Sequence, residues 1–212
     1  MRSFLKSAVV AGLIAVPIWS VSAQVMQPGL HVAFNTSTFS GEANTQFDFR
    51  TSFGGGVSLA FVFPSGFAIQ PELRYIVKGA TSDSAFISSS ETRLRIKSTI
   101  SYLEIPVLAV YSFNGGGSIR PRVFAGPYFA SKLESSIEWQ AVSGGVRQSE
   151  VDNSVESIDI GFVLGGGVEF DVAGERVLVG ARGTFGRSDV RNRPDAPLRN
   201  TGLEIFTALI FQ

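Results

Sequence analysis

From Gly29 onward, apolar and polar positions alternate with a period of two, the repeat of a β-strand with one apolar face. In 67–79, Ile69, Pro71, Leu73, Tyr75 and Val77 share one face, while Gln70, Glu72, Arg74 and Lys78 share the other. In 97–113, Leu103, Ile105, Val107, Ala109 and Tyr111 oppose Glu104. In 157–172, Ile158, Ile160, Phe162, Leu164, Val168 and Phe170 oppose Asp159, Gly161, Gly165, Gly167, Glu169 and Asp171. In 176–187, Val177, Val179, Ala181 and Phe185 oppose Arg182 and Thr184. In 201–212, Leu203, Ile205, Leu209 and Phe211 oppose Glu204. With 29–39, 53–63 and 119–133, these segments predict eight strands and no helix.

The connections alternate in length. Pro64-Ser65-Gly66, Asn114 to Gly117 and Ala173-Gly174-Glu175 are tight turns. The other four, 40–51, 80–96, 134–156 and 188–200, are long and polar. Short turns at one end and long loops at the other are the layout of a transmembrane barrel with periplasmic turns and extracellular loops. The predicted fold is therefore all-β: an eight-stranded antiparallel up-and-down transmembrane β-barrel with a polar, packed lumen.

Parity alone does not say which face is inside. A soluble barrel with an apolar interior and an apolar ligand is the opposite arrangement. Two features favour lipid outside. The polar face mixes glycine with charges of both signs, which suits a narrow paired lumen. The apolar face carries aromatics near strand ends: Phe61, Phe63, Phe67, Tyr111, Phe113 and Phe211 at the short-turn end, and Tyr75, Phe129 and Phe185 toward the long loops. These positions match two interfacial girdles. The expected lumen network is Glu72, Arg74, Glu104, Arg122, Asp159, Glu169, Arg182 and Glu204. Charges at that depth must pair or be hydrated. An eight-stranded barrel is just wide enough for side chains to fill, so a structural plug is expected, with Gly161, Gly165 and Gly167 giving room to arginines. The alternative is a conducting path lined by the same charges.

Composition sharpens this. Hydrophobic residues make up 44% and charged residues 17%, with 18 Lys+Arg against 18 Asp+Glu. Zero formal charge removes any bulk-charge argument for nucleic acid. The absence of cysteine removes disulfides, thiolate metal sites and a Cys nucleophile. Arg2 and Lys6 precede an apolar stretch, Ala8 to Trp19, too short to span a bilayer, and Val21-Ser22-Ala23 suits a signal peptidase. The expected organisation is a cleaved secretory signal over 1–23 and an outer-membrane barrel over 24–212.

Several segments together resemble a known family. Tyr102-Leu103-Glu104-Ile105-Pro106, then Arg120-Pro121-Arg122-Val123-Phe124-Ala125-Gly126-Pro127, then Asp159-Ile160-Gly161-Phe162 leading to Gly165-Gly166-Gly167-Val168-Glu169-Phe170, resemble the PorT-type outer-membrane β-barrels common in Bacteroidota. The resemblance spans about Gly29 to Gln212. It implies an eight-stranded outer-membrane barrel in a Gram-negative cell envelope, a family mostly without assigned activity and with some members linked to protein secretion.

Catalysis finds little support. The single histidine, His31, falls near the periplasmic end, away from any outer-rim Ser-His-acid site. It is expected to be a lumen hydrogen-bond partner, with Glu204 as a candidate. Gly54-Gly55-Gly56 and Gly165-Gly166-Gly167 lack the context of a phosphate loop and suit close packing. In the last loop, Arg187, Arg191, Arg193 and Arg199 are candidates for lipopolysaccharide phosphates. The alternative there is a hydrated loop with local pairs to Asp189 and Asp195. Glu150, Asp152 and Glu156 match no calcium loop and read as an acidic surface. No cofactor or metal is expected. The expected role is non-enzymatic: structural, or surface recognition through long loops by an unknown protein or ligand. A narrow pore or secretion component is the second reading.

Overall fold

The computed structural model describes residues 25–41, 47–86, 93–113, 118–141, 147–191 and 197–211. The expected signal segment 1–23 and the turn 114–117 lie outside the described residues. Nine strands follow in chain order: β1 (Val25–Gly41), β2 (Asp48–Val62), β3 (Phe67–Phe86), β4 (Arg93–Ser112), β5 (Ile119–Ala141), β6 (Arg147–Val151), β7 (Ile158–Val172), β8 (Glu175–Gly186) and β9 (Leu198–Ile210). There is no helix among the described residues.

The sheet runs β4-β3-β2-β1-β9-β8-β7-β5, and β4 pairs β5 to close it. Every pairing is antiparallel. The result is a closed eight-stranded barrel. β6 is an addition: it pairs with the outer end of β5, from Ser136↔Val151 to Gln140↔Arg147.

The strands reach further out than alternation suggested. The span 134–156, expected to be one loop, instead continues β5 to Ala141 and adds β6. β3 continues to Phe86 and β4 begins at Arg93, so the expected loop 80–96 is mostly ladder. Polar residues on both faces hid these extensions, because above the membrane neither face needs to be apolar.

At the short-turn end, β7 and β8 join through Ala173 and Gly174, both with positive φ (53° and 92°), beside the Val172↔Glu175 pair. Two left-handed residues match the strand twist of a tight hairpin. Near the outer end, the β2–β3 ladder breaks between Phe49 and Gly54. Side chains bridge the gap. Asn35 Nδ2 and Ser52 Oγ donate to the Val77 carbonyl at 3.0 and 2.6 Å. Ser37 Oγ accepts from the Gly79 N–H at 3.0 Å and lies 3.1 Å from its carbonyl oxygen.

The faces divide as the alternation indicated. Leu30, Val32, Phe53, Ile69, Leu73, Leu103, Ile105, Leu164, Leu203 and Ile205 are exposed outward. Glu104, Lys78, Arg74 and Arg182 point inward and are 0–2% exposed. Phe67, Phe113 and Phe211 stand outward at the short-turn end, and Tyr75, Phe129 and Phe185 toward the other. The soluble alternative needed the reverse, an apolar lumen and a polar exterior.

Candidate functional site

The lumen holds a continuous chain of ion pairs from five strands. Arg74 of β3 faces Glu104 of β4 in register and bonds it at 3.0 Å through Nε. Its two terminal nitrogens cross to Glu204 of β9, each at 3.1 Å. Arg182 of β8, in register with Glu204, bonds that carboxylate through Nε and reaches Glu72 of β3 at 2.7 Å. Gln70 Nε2 donates to the other Glu72 oxygen at 2.8 Å. In the other direction, Lys78 lies 2.6 Å from Glu104 and 3.3 Å from Asp159 of β7.

This chain contains four carboxylates and three cations. Asp159, at its end, is held mostly by neutral donors. Tyr128 O–H (3.1 Å) and Asn200 Nδ2 (2.9 Å) donate to one oxygen, and Ser188 O–H (2.8 Å) donates to the other. The Lys78 ammonium also sits 4.2 Å from the Tyr128 ring centroid. Hydrogen bonds to Glu72, Glu204 and Asp159, and the two close cations beside Glu104, are what make such a buried cluster tolerable.

A second cluster sits at the periplasmic end. Glu169 receives Arg122 and Arg120, each at 2.9 Å, and Arg120 also bonds Asp171 at 3.1 Å. Between the clusters lies a layer of apolar lumen side chains, Leu108, Val110, Phe124, Leu178 and Phe206. The cavity here has a volume of about 20 Å³ and is lined by His31, Glu72, Arg122, Arg182 and Phe206, among others. That is room for one or two waters.

Ion pairs inside and Leu, Ile and Phe outside define a barrel immersed in lipid. In agreement, residues 23–191 match the model of the family described as Outer membrane protein beta-barrel domain. The chain belongs to this family. No curated protein sequence matches it. Among solved structures it is similar to the outer membrane protein OprG from Pseudomonas aeruginosa, at 11% identity and TM-score 0.51, covering 88% of this chain and 96% of that one. Neisserial surface protein A matches at 15% identity and TM-score 0.46, covering 88% and 97%. The outer membrane enzyme PagL matches at 17% identity and TM-score 0.41, covering 84% and 97%. At these identities, the OprG likeness speaks for fold alone.

In this outer-membrane barrel, the structure places all eight expected lumen residues inward. It divides them into two groups: Glu72, Arg74, Glu104, Asp159, Arg182 and Glu204 in the central chain, and Arg122 with Glu169 below. Lys78 was visible on the polar face by parity but was not assigned to the network. Arg120 and Arg176 were also missed; Arg120 reaches Glu169 from the periplasmic rim, and Arg176 lies 3.7 Å from it.

Two expectations are corrected. His31 does not partner Glu204: it lies in register with Ala208, four residues further along β9, and lines the cavity instead. The β7 glycines do not make room for arginines. A Cβ on Gly161 would lie 2.7 Å from the Tyr128 ring, one on Gly165 2.6 Å from Phe124, and one on Gly167 3.0 Å from Leu178. Glycine here accommodates aromatic and leucine side chains that fill the lumen.

The four rim arginines separate. Arg191 is tied to Asp152 at 3.1 Å, while Arg187 and Arg199 are exposed. Arg193 and Asp195 lie outside the described residues. Asp152 is therefore less an open acidic surface than a junction. Ser154 donates to Oδ1 through both its N–H and its hydroxyl, and Arg191 donates to Oδ2. Burial works to raise the Asp152 pKa, but the Ser154 hydrogen bonds and the Arg191 charge outweigh it and hold the carboxyl below its usual range. Among the described residues, no cluster of three or more His, Cys, Asp or Glu could hold a metal.

Proposed function

We propose that this outer-membrane barrel is a non-enzymatic, non-conducting protein whose work is done at the cell surface. The observation that carries the reading is the unbroken chain Glu72–Arg182–Glu204–Arg74–Glu104–Lys78–Asp159 across the lumen, every member at most 6% exposed. Side chains interlocked across the bore support a sealed lumen. His31, the sole histidine, is buried in the lumen and stands apart from the outer rim, which supports a role other than Ser-His hydrolysis.

The outer ends of β3, β4 and β5 and the added β6 supply the surface. β6 ends the sheet order, so one of its edges is unpaired among the described residues. A free edge offers backbone donors and acceptors to an incoming strand. The PorT-type resemblance of Leu103-Glu104-Ile105-Pro106 belongs to this proposal, as does the expected cleavage after Ala23.

Planar-bilayer recording tests the sealed lumen. The purified protein is expected to give no steady conductance step. A steady open channel that changes in Arg122→Ala would overturn the reading in favour of a narrow pore or transport component.

A further inference from the structure

We infer that Arg187 and Arg199 together hold a phosphate of an outer-leaflet lipid headgroup, at the top of the lipid-facing belt on β8 and β9. The inference is independent of whether the lumen conducts.

The placement follows from the ladder. Phe185 pairs with Thr201, and the next position, Gly186, lies against the Asn200 backbone, where a Cβ would be 2.8 Å from the carbonyl oxygen. Arg187 N–H donates to the Ile160 carbonyl at 2.8 Å, so the chain continues along β7 for one more residue. Continuing the Phe185↔Thr201 register by two positions, just past the end of β8, sets Arg187 against Arg199. By parity they share the outward face of Phe185, Leu203 and Ile205, and both are exposed.

Two like charges directly opposite on a sheet repel each other. Among the described residues no ion pair offsets the repulsion at either arginine. Nearby acids face other partners: Asp189 Oδ1 accepts the N–H groups of Arg191 and Leu198, Asp152 binds Arg191, and Asp159 takes Ser188, Asn200 and Tyr128. Below the pair the surface is apolar, with Phe185, Leu203, Ile205, Ile160 and Phe162 exposed. Beside Arg199, the exposed hydroxyls of Ser40 and Thr201 lie 2.9 Å apart.

An occupant must thus be anionic at one end and hydrocarbon at the other. The guanidinium fork matches phosphate oxygens in pairs, and two forks on one dianion would remove the repulsion. A soluble phosphate satisfies the arginines but gains nothing from the apolar floor. A phosphorylated glycolipid such as lipid A satisfies both.

The test uses the full-length barrel in zwitterionic detergent, with bound lipid counted by native mass spectrometry. The probes are diphosphoryl lipid A, dephosphorylated lipid A and inorganic phosphate. The wild type is expected to prefer the diphosphoryl form by about ten-fold, a difference of about 1.4 kcal/mol. Arg187→Gln/Arg199→Gln is expected to lose that preference, and each single variant most of it. The heat-dependent electrophoretic shift of each variant reports that the barrel is folded. The proposal is overturned if the double variant keeps the preference, if one arginine alone carries it, or if equimolar inorganic phosphate displaces the lipid.

Discussion

Arg74 reaches across the lumen to Glu204, passing over the two intervening strands β2 and β1, and bonds both carboxylate oxygens at 3.1 Å. The bond ties two in-register pairs, Arg74–Glu104 and Arg182–Glu204, into one unit. Glu204 thereby compensates two arginines at once. Its removal, Glu204→Ala, should destabilise the folded barrel by about 3–5 kcal/mol, because two guanidiniums then lose a buried counterion. Urea unfolding in lipid vesicles measures this. An Arg74/Glu204 double-mutant cycle should show a coupling of about 0.5–3 kcal/mol.

The glycine face of β7 makes a separate prediction. A methyl group on Gly165 would sit 2.6 Å from both the Phe124 ring and the Ala181 carbonyl oxygen. Because one obstacle is backbone, Phe124→Leu should rescue only part of the loss. Gly165→Ala is expected to cost about 1–3 kcal/mol as an overpacked core change, read by the same unfolding assay.

The lipid face can be tested at its middle. Leu164 is 61% exposed on the outward face of β7. Leu164→Arg should cost about 2–4 kcal/mol in a bilayer, the depth-dependent penalty for a midplane charge. A soluble barrel would tolerate an exposed arginine at this position with almost no change.

Asp152 links outer-rim order to acidity. Its carboxyl titrates lower in the folded protein than in the unfolded chain, so the stabilisation it contributes is fully present above the unfolded value, near 4. That stabilisation is lost as pH falls through the lower folded value. Hydrogen exchange of the Ser154 amide, which donates to Asp152 Oδ1, should therefore accelerate, relative to the barrel strands, as pH drops below about 4. The acid-specific part of this acceleration should disappear in Asp152→Asn.

The barrel was legible because lipid imposes a strict two-residue code. One apolar face per strand placed Leu103 outward and Glu104 inward from sequence alone. Parity also identified which charges share the lumen. It could not identify partners, because Arg74–Glu204 depends on which non-neighbouring strands face each other across the bore. The filling of the lumen by Phe124, Tyr128 and Phe206 was hidden for a related reason. These residues occupy polar-face positions, and only the ladder register shows that each ring lies over a glycine of the adjacent strand. Beyond the bilayer the code lapses, so β6 and the outer half of β5 resembled loop.

The unequal strands leave the outer edge of the molecule with a wall and a sill. β5 runs 23 residues and is backed by β6, whereas β8 runs only 12. At about 3.3 Å per residue, that is roughly 35 Å of additional strand on one side. A macromolecule arriving from the medium meets the wall first, with its free strand edge. In the lipid-binding proposal above, a molecule diffusing within the outer leaflet meets the sill, which carries Arg187 and Arg199. The barrel thus has two approaches, one from solution and one from the plane of the membrane, and unequal strand length keeps them apart.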